Sequence, residues 1–228
     1  MLSVQKTQFM ECNVSDSDSE PILVDGQEVQ KCSQYKYLGS IMHDSGLLEI
    51  NIQHRIAAAW LKWTEVTGVT CDSKMPIKMK GLVYKTIIRS VLTYGSEIWP
   101  VTQRHFQAIH VAEMKMLRWM SGVSRIDRVR NEHIRGSLGV RDVADKLQES
   151  RLRWFRHVKR RPPEYVGNKA LSFALPGPNR RGKPRQRWCN VIAKDLNACG
   201  LSEIDVQDRA KWKEKSRKAD SVTVRDKR

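Results

Sequence analysis

DVADKLQESRLRWFRHVKRRPP, residues 142–163, sets how the chain folds. Asp142 stands where a helix begins, because a short carboxylate accepts hydrogen bonds from the first free backbone amides. Val143, Leu147, Trp154 and Val158 mark an apolar stripe at helical spacing. Pro162 and Pro163 stop the helix, since proline has no N–H and clashes with the preceding turn. Arg153, Arg156 and Arg160 fall at i, i+3 and i+7, so they share one face. Trp154 and Val158 are expected to point elsewhere, into a core. Such a helix packs on one side and offers cations on the other. A merely solvated basic face has the same pattern.

Working outward, most of the chain repeats this helical period. Ile52, Ile56, Ala59, Trp60, Trp63 and Val66 form one stripe, ended by Gly68. Pro76 suits the first position of the next helix, with Ile77, Tyr84, Ile88 and Val91 as its stripe and Tyr94-Gly95 as its end. Phe106, Ile109, His110, Glu113, Met116, Leu117 and Met120 form a third, closed by Gly122. Asp127 to Arg135 reads as a short helix, and two more are expected over 187–199 and 206–218. Residues 162–184 hold five prolines and three glycines and read as an extended linker.

Residues 1–48 have a different pattern. Val4 to Cys12 is strand-like. Ile22-Leu23-Val24 and Gln27 to Lys31 flank Asp25-Gly26, a pair suited to a tight hairpin turn. Tyr35 to Ser40 reads as one more short strand. The run Ser15-Asp16-Ser17-Asp18-Ser19-Glu20 reads as a loop rather than a metal site. The fold class is therefore mainly α with a small N-terminal β segment. Five stretches are expected: 1–48, a helical 49–121, a basic helical 122–161, a Pro/Gly/Arg-rich linker at 162–186, and helices with a tail over 187–228.

The formal net charge is +16, and it is unevenly placed. Residues 1–50 carry three basic and eight acidic side chains, and the remainder carries 38 basic and 17 acidic. Twelve basic residues stand between 151 and 187, against Glu164 alone. Trp154, Phe155, Tyr165 and Trp188 lie within or beside that block. Cations attract phosphates by releasing condensed counterions, and aromatic rings stack on bases. The candidate nucleic-acid contacts are Arg151, Arg153, Arg156, Lys159, Arg160, Arg161, Arg180, Arg181, Lys183, Arg185, Arg187 and Trp188. Arg180-Arg181-Gly182-Lys183-Pro184-Arg185 resembles an AT-hook, with Lys183 in place of the usual second arginine. Basic linkers and nuclear import signals look the same.

Other chemistry is sparse. The longest unbroken apolar run, Ile56 to Leu61, is far short of the ~20 residues of a spanning helix. There is no secretory signal pattern. Cys12, Cys32, Cys71, Cys189 and Cys199 show neither a disulfide framework nor zinc spacing. No nucleophile elbow, phosphate loop or zinc-protease motif occurs. His110 and Glu113 share a helix face, where a packed pair is the ordinary outcome.

The order of motifs resembles a known family. Lys6-Thr7-Gln8-Phe9 and Tyr35-Lys36-Tyr37-Leu38-Gly39-Ser40 come first. Met75-Pro76, Leu92-Thr93-Tyr94-Gly95-Ser96-Glu97-Ile98-Trp99-Pro100 and Ala112-Glu113-Met114-Lys115-Met116-Leu117-Arg118-Trp119 follow. Arg151-Leu152-Arg153-Trp154-Phe155-Arg156-His157-Val158 and Asp208-Arg209-Ala210-Lys211-Trp212 complete the series. This series is similar to the carboxy-terminal portion of the endonuclease–reverse transcriptase of RTE-type (BovB-like) non-LTR, or LINE, retrotransposons. The chain departs from the family at Arg156, usually glycine, and at Ser90, often proline.

The resemblance implies a truncated polymerase palm over 1–48, a thumb-like bundle over 49–121 and a basic tail beyond. It places Lys6 beside the incoming nucleotide and makes Tyr37, Leu38 and Gly39 a primer grip. The family's catalytic aspartates and endonuclease precede these residues in order, so the 228 residues alone are expected not to be an enzyme. No cofactor is expected, Mg²⁺ belonging only to the intact polymerase. The expected partners are RNA or DNA and not a membrane, in the nucleus and cytoplasm. Two alternatives stand beside this: a stand-alone basic nucleic-acid-binding protein, or an unselected remnant of an element. In the latter, the β segment lacks sheet partners and packs poorly.

Overall fold

The computed structural model describes residues 7–12, 21–24, 26–173 and 186–220. Met1–His54 and Arg55–Arg228 form separate compact units.

In the first unit the strands are short because their apolar residues are few. β1 (Gln8–Phe9) pairs in parallel with β4 (Gln30–Lys31). β2 (Leu23–Val24) and β3 (Gln27–Glu28) form the hairpin expected at Asp25-Gly26, with Leu23 opposite Glu28. The expected single strand from Tyr35 to Ser40 is instead two. β5 (Gln34–Tyr37) and β6 (Ser40–His43) pair across Leu38-Gly39. Both turn residues have positive φ, 46° and 85°, as a two-residue hairpin turn of matching twist requires. Val29 is buried here, whereas Leu23, Tyr35, Tyr37, Leu38 and Met42 are exposed. A lone two-stranded ribbon is marginal in water, since one covered face is too little apolar area.

The helices follow the apolar stripes. They are α1 (Glu49–Glu65), α2 (Thr67–Thr70), α3 (Ile77–Val83), a π turn (Tyr84–Ile88), α4 (Arg89–Leu92), a 3₁₀ turn (Ser96–Ile98), α5 (Gln103–Met120), α6 (Asn131–Leu138), α7 (Val143–Lys159), α8 (Val166–Ser172), α9 (Trp188–Cys199), a second 3₁₀ turn (Glu203–Val206) and α10 (Arg209–Ser216). Pro76, expected at the first position of α3, stands one residue before it and makes no side-chain capping hydrogen bond. Thr102 and His105 form a reciprocal capping box on α5. The expected helix at Asp127 starts later, at Asn131, because Asp127 accepts hydrogen bonds from the Ser124 amide and hydroxyl, at 2.6 and 2.8 Å, in a turn. The expected extended linker contains α8. There Asn168 donates to the carbonyls of Arg161 and Pro162, both at 3.0 Å, and so continues the chain from the proline stop.

Gly81 of α3 is a close-approach glycine. A Cβ there would stand 1.8 Å from the Leu138 carbonyl oxygen of α6. Only a residue without a side chain lets these two helices meet at that distance.

The second unit is built around a buried charge. Glu113 of α5 is 0% exposed. Tyr84 donates its hydroxyl to Glu113 Oε1, and Arg135 Nη2 donates to Oε2, each at 3.1 Å. Arg135 Nη1 reaches Asp142 Oδ2 at 2.7 Å. Asp142 Oδ1 in turn accepts from the Ala144 amide at 2.9 Å and caps α7, as expected. One carboxylate thus ties the π turn, α5, α6 and the start of α7. Burial raises the Glu113 pKa, outweighing the lowering by Arg135.

Arg135→Ala is predicted to cost about 3–5 kcal/mol in urea unfolding, the cost of leaving one partner of a buried ion pair alone. Because the folded carboxyl binds its proton more tightly than the unfolded one, stability should fall as pH rises from the ordinary glutamate value to the raised one. Glu113→Gln should remove that slope, which unfolding curves across the acid range will read.

Candidate nucleic-acid interface

α7 positions the basic face. Val143, Leu147, Leu152, Phe155 and Val158 are its buried side. Leu152 and Phe155 join Ile192 and Leu196 of α9, Leu201 and Val206, and Trp212 of α10 in one apolar cluster. Phe155 stacks on Trp212 with ring centroids 6.3 Å apart. Each such side chain contributes roughly 1.5–3 kcal/mol on burial, so α7 is firmly held against α9 and α10. Arg153, Trp154, His157 and Arg160 are left outside, and Arg156 is half-buried.

Several candidates do other work. Arg151 is 1% exposed. Its Nε donates to Asp195 Oδ2 at 2.7 Å and its Nη2 to Oδ1 at 3.2 Å, and its guanidinium lies over the Phe106 ring. A cation held this way is not offered to phosphate. Trp188, expected beside the basic block as a stacking ring, donates its indole N–H to the Glu97 carbonyl at 2.8 Å and packs on Phe155. Trp154, expected in the core, is at the surface. It stacks on His157 with centroids 5.4 Å apart and planes 20° from parallel. The inward position belongs to its neighbour Phe155.

The other candidates are accessible in different degrees. Arg156 Nε donates to the Val206 carbonyl at 3.0 Å, while its Nη2 has no hydrogen-bond partner among the described residues. Lys159 pairs with Glu203 at 3.0 Å. Arg160 and Arg187 are exposed, and Arg161 is exposed over the Tyr165 ring. Tyr37, Leu38 and Gly39 are the turn of the β5–β6 hairpin, with Tyr37 and Leu38 exposed. Lys6, Arg180, Arg181, Lys183, Arg185 and the acidic run at 15–20 lie outside the described residues.

The structure adds a second row of cations. Arg209 and Lys213 of α10 and Arg217 just after it line a groove with Arg153 and Arg156, beside Trp212, Ser216 and Glu149. A neighbouring depression is lined by Arg153, Arg156, His157, Arg160 and Arg161. Arg153 borders both. Burial, then Arg160 and Arg209, lower the Arg156 pKa, since cations crowd it from two sides. An anion seated there relieves that repulsion. The signal for α10 was available in the four-residue step from Arg209 to Lys213, which places two cations on one helix face, with Arg217 following just past its end.

Among the described residues no three His, Cys, Asp or Glu side chains gather as a metal site, and no helix is long and apolar enough to cross a membrane.

With this geometry in place, comparison with known proteins finds a distant similarity to a transposon-derived protein. The chain is 26% identical over 138 residues to a putative uncharacterized transposon-derived protein of Caenorhabditis elegans. The match covers 59% of this chain and 49% of that protein, so the chain spans about half the length of its relative. No protein-family profile matches, and no solved structure does.

Arg151→Ala is predicted to lose about 3–5 kcal/mol, because Asp195 is left buried without its partner. Arg153→Ala should stay within about 0.5 kcal/mol of the parent, as exposed substitutions do. Urea unfolding of the two variants side by side checks the division of α7 into a structural and a binding face.

Proposed function

We propose that these residues are the carboxy-terminal part of a reverse transcriptase from an RTE-type non-LTR retrotransposon, and that their helical unit holds nucleic acid. The observation that carries the reading is the double row of cations on α7 and α10, meeting at Arg153 and Arg156. Relatedness to a transposon-derived protein supports it, and so does the order of the sequence motifs. In this reading the first unit is the end of the palm, with the Leu38-Gly39 turn near a primer. The residues from α1 to α5 act as a thumb. The partner is RNA or DNA, met in the nucleus or cytoplasm.

By the resemblance, the carboxylate pair that places catalytic Mg²⁺ in a polymerase belongs to the part of the family that precedes these residues in order. Described carboxylates such as Glu113, Asp142 and Asp195 are each engaged with arginine. No chemical step is assigned to them. Binding and positioning are the proposed roles, and synthesis belongs to the complete polymerase.

Two outcomes follow. Binding to oligonucleotides should weaken steeply with salt, and each of Arg153→Ala, Arg160→Ala and Arg209→Ala should reduce the logarithmic salt slope by about one. A flat salt response would overturn the binding role. In primer extension with Mg²⁺, the purified 228 residues should make no product, and metal-dependent synthesis would sink the proposal of a separate catalytic part.

A further inference from the structure

This inference rests on the nucleic-acid reading and specifies the form of its ligand. Beside the cation groove lies an open depression of about 280 Å³, lined by Trp154, His157, Arg153, Ser150 and Glu97. Its volume is close to the small end of ligand pockets, which run roughly 300–1,000 Å³. Like the groove, which has Glu149 and Ser216, it includes a carboxylate and a hydroxyl, and it differs in its aromatic lining. Its wall holds an exposed aromatic pair, the Trp154 indole stacked on the His157 imidazole. Its other wall holds a carboxylate, Glu97, which repels phosphate but accepts from a base amino or imino N–H. Ser150 adds a hydroxyl able to donate or accept.

Large aromatics bury apolar area readily, and Phe155 and Trp212 nearby do so. Trp154 stays at the surface because α7 turns its neighbour Phe155 inward. The result is a flat π surface within a field of cations. A duplex keeps its base faces stacked on one another, so it has no use for such a surface. A single strand does, since every unpaired base has a free π face.

We propose that the depression at Trp154 and His157 receives one unpaired base of a single-stranded nucleic acid. Its flanking phosphates lie along the groove of Arg153, Arg156, Arg209, Lys213 and Arg217. Arg153 borders both depressions and so stands between base and backbone. Arg156, half-buried beside it, adds its charge to the phosphate side. Glu97 gives a base bearing an amino group, such as cytosine, an advantage over no base at all.

The test uses the full chain with two single strands of equal length and equal charge, an oligodeoxycytidine and the same backbone carrying abasic sites. The parent protein should bind the cytidine strand about tenfold more tightly, the worth of one base–aromatic stack. Trp154→Ala should erase the difference while leaving abasic affinity unchanged. Trp154→Phe should keep most of it, which separates stacking from mere structural loss. Equal affinity of the parent for both strands would overturn the proposal, as would a preference that survives Trp154→Ala. Failure of the parent to bind either strand would instead overturn the underlying nucleic-acid reading.

Discussion

A single buried carboxylate organises the helical unit. Glu113 is fully enclosed, and a charge in that position requires a counter-charge and hydrogen bonds at close range. Arg135 and Tyr84 supply them. The consequence travels outward, because Arg135 also holds Asp142, and Asp142 caps α7. The rotation of α7 about its axis therefore depends on a charge two helices away. That rotation decides which side chains meet solvent: Phe155 goes in, and Arg153, Trp154 and Arg160 go out.

A second buried pair fixes the far side of the same helix. Arg151 and Asp195 join α7 to α9, and Gln148 donates to the same carboxylate at 3.1 Å. α10 closes over this junction through Trp212. Its N-terminus is set by Asp208, which accepts from the Lys211 amide at 3.0 Å. Lys211 reaches back to Asp205, whose pKa is held down at about 2 mainly by that bond. These short polar contacts on α10 settle where Arg209, Lys213 and Arg217 stand. The basic groove is thus a product of packing, in which cations of two helices are brought together by the apolar residues between them.

The sequence disclosed features governed by neighbours along the chain. The Asp25-Gly26 hairpin, the Asp142 cap and the glycine ends near Gly95 and Gly122 need only local chemistry. The mainly helical class follows from the apolar period. What stayed hidden depends on distant partners. Arg151 looks like any other arginine of its block until Asp195, from 44 residues further on, is placed beside it. Trp154 and Phe155 are adjacent and both aromatic, so a stripe drawn through one instead of the other rotates the helix by about 100°. Trp188 reads as a ring beside a basic tract, and only the fold brings the Glu97 carbonyl to its N–H. In the β segment the family resemblance implied a turn at Tyr37 to Gly39, while the residues alone read as one strand because leucine seldom takes positive φ.

The central claim is that one face, formed by α7 and α10, is where nucleic acid rests. Photo-crosslinking of a bound single strand, followed by peptide mapping, tests it most directly. Crosslinks should fall at Trp154 and His157 and along Arg209 to Arg217. Crosslinks confined to other surfaces, such as exposed Trp119 or the Tyr37-Leu38 turn, would contradict it.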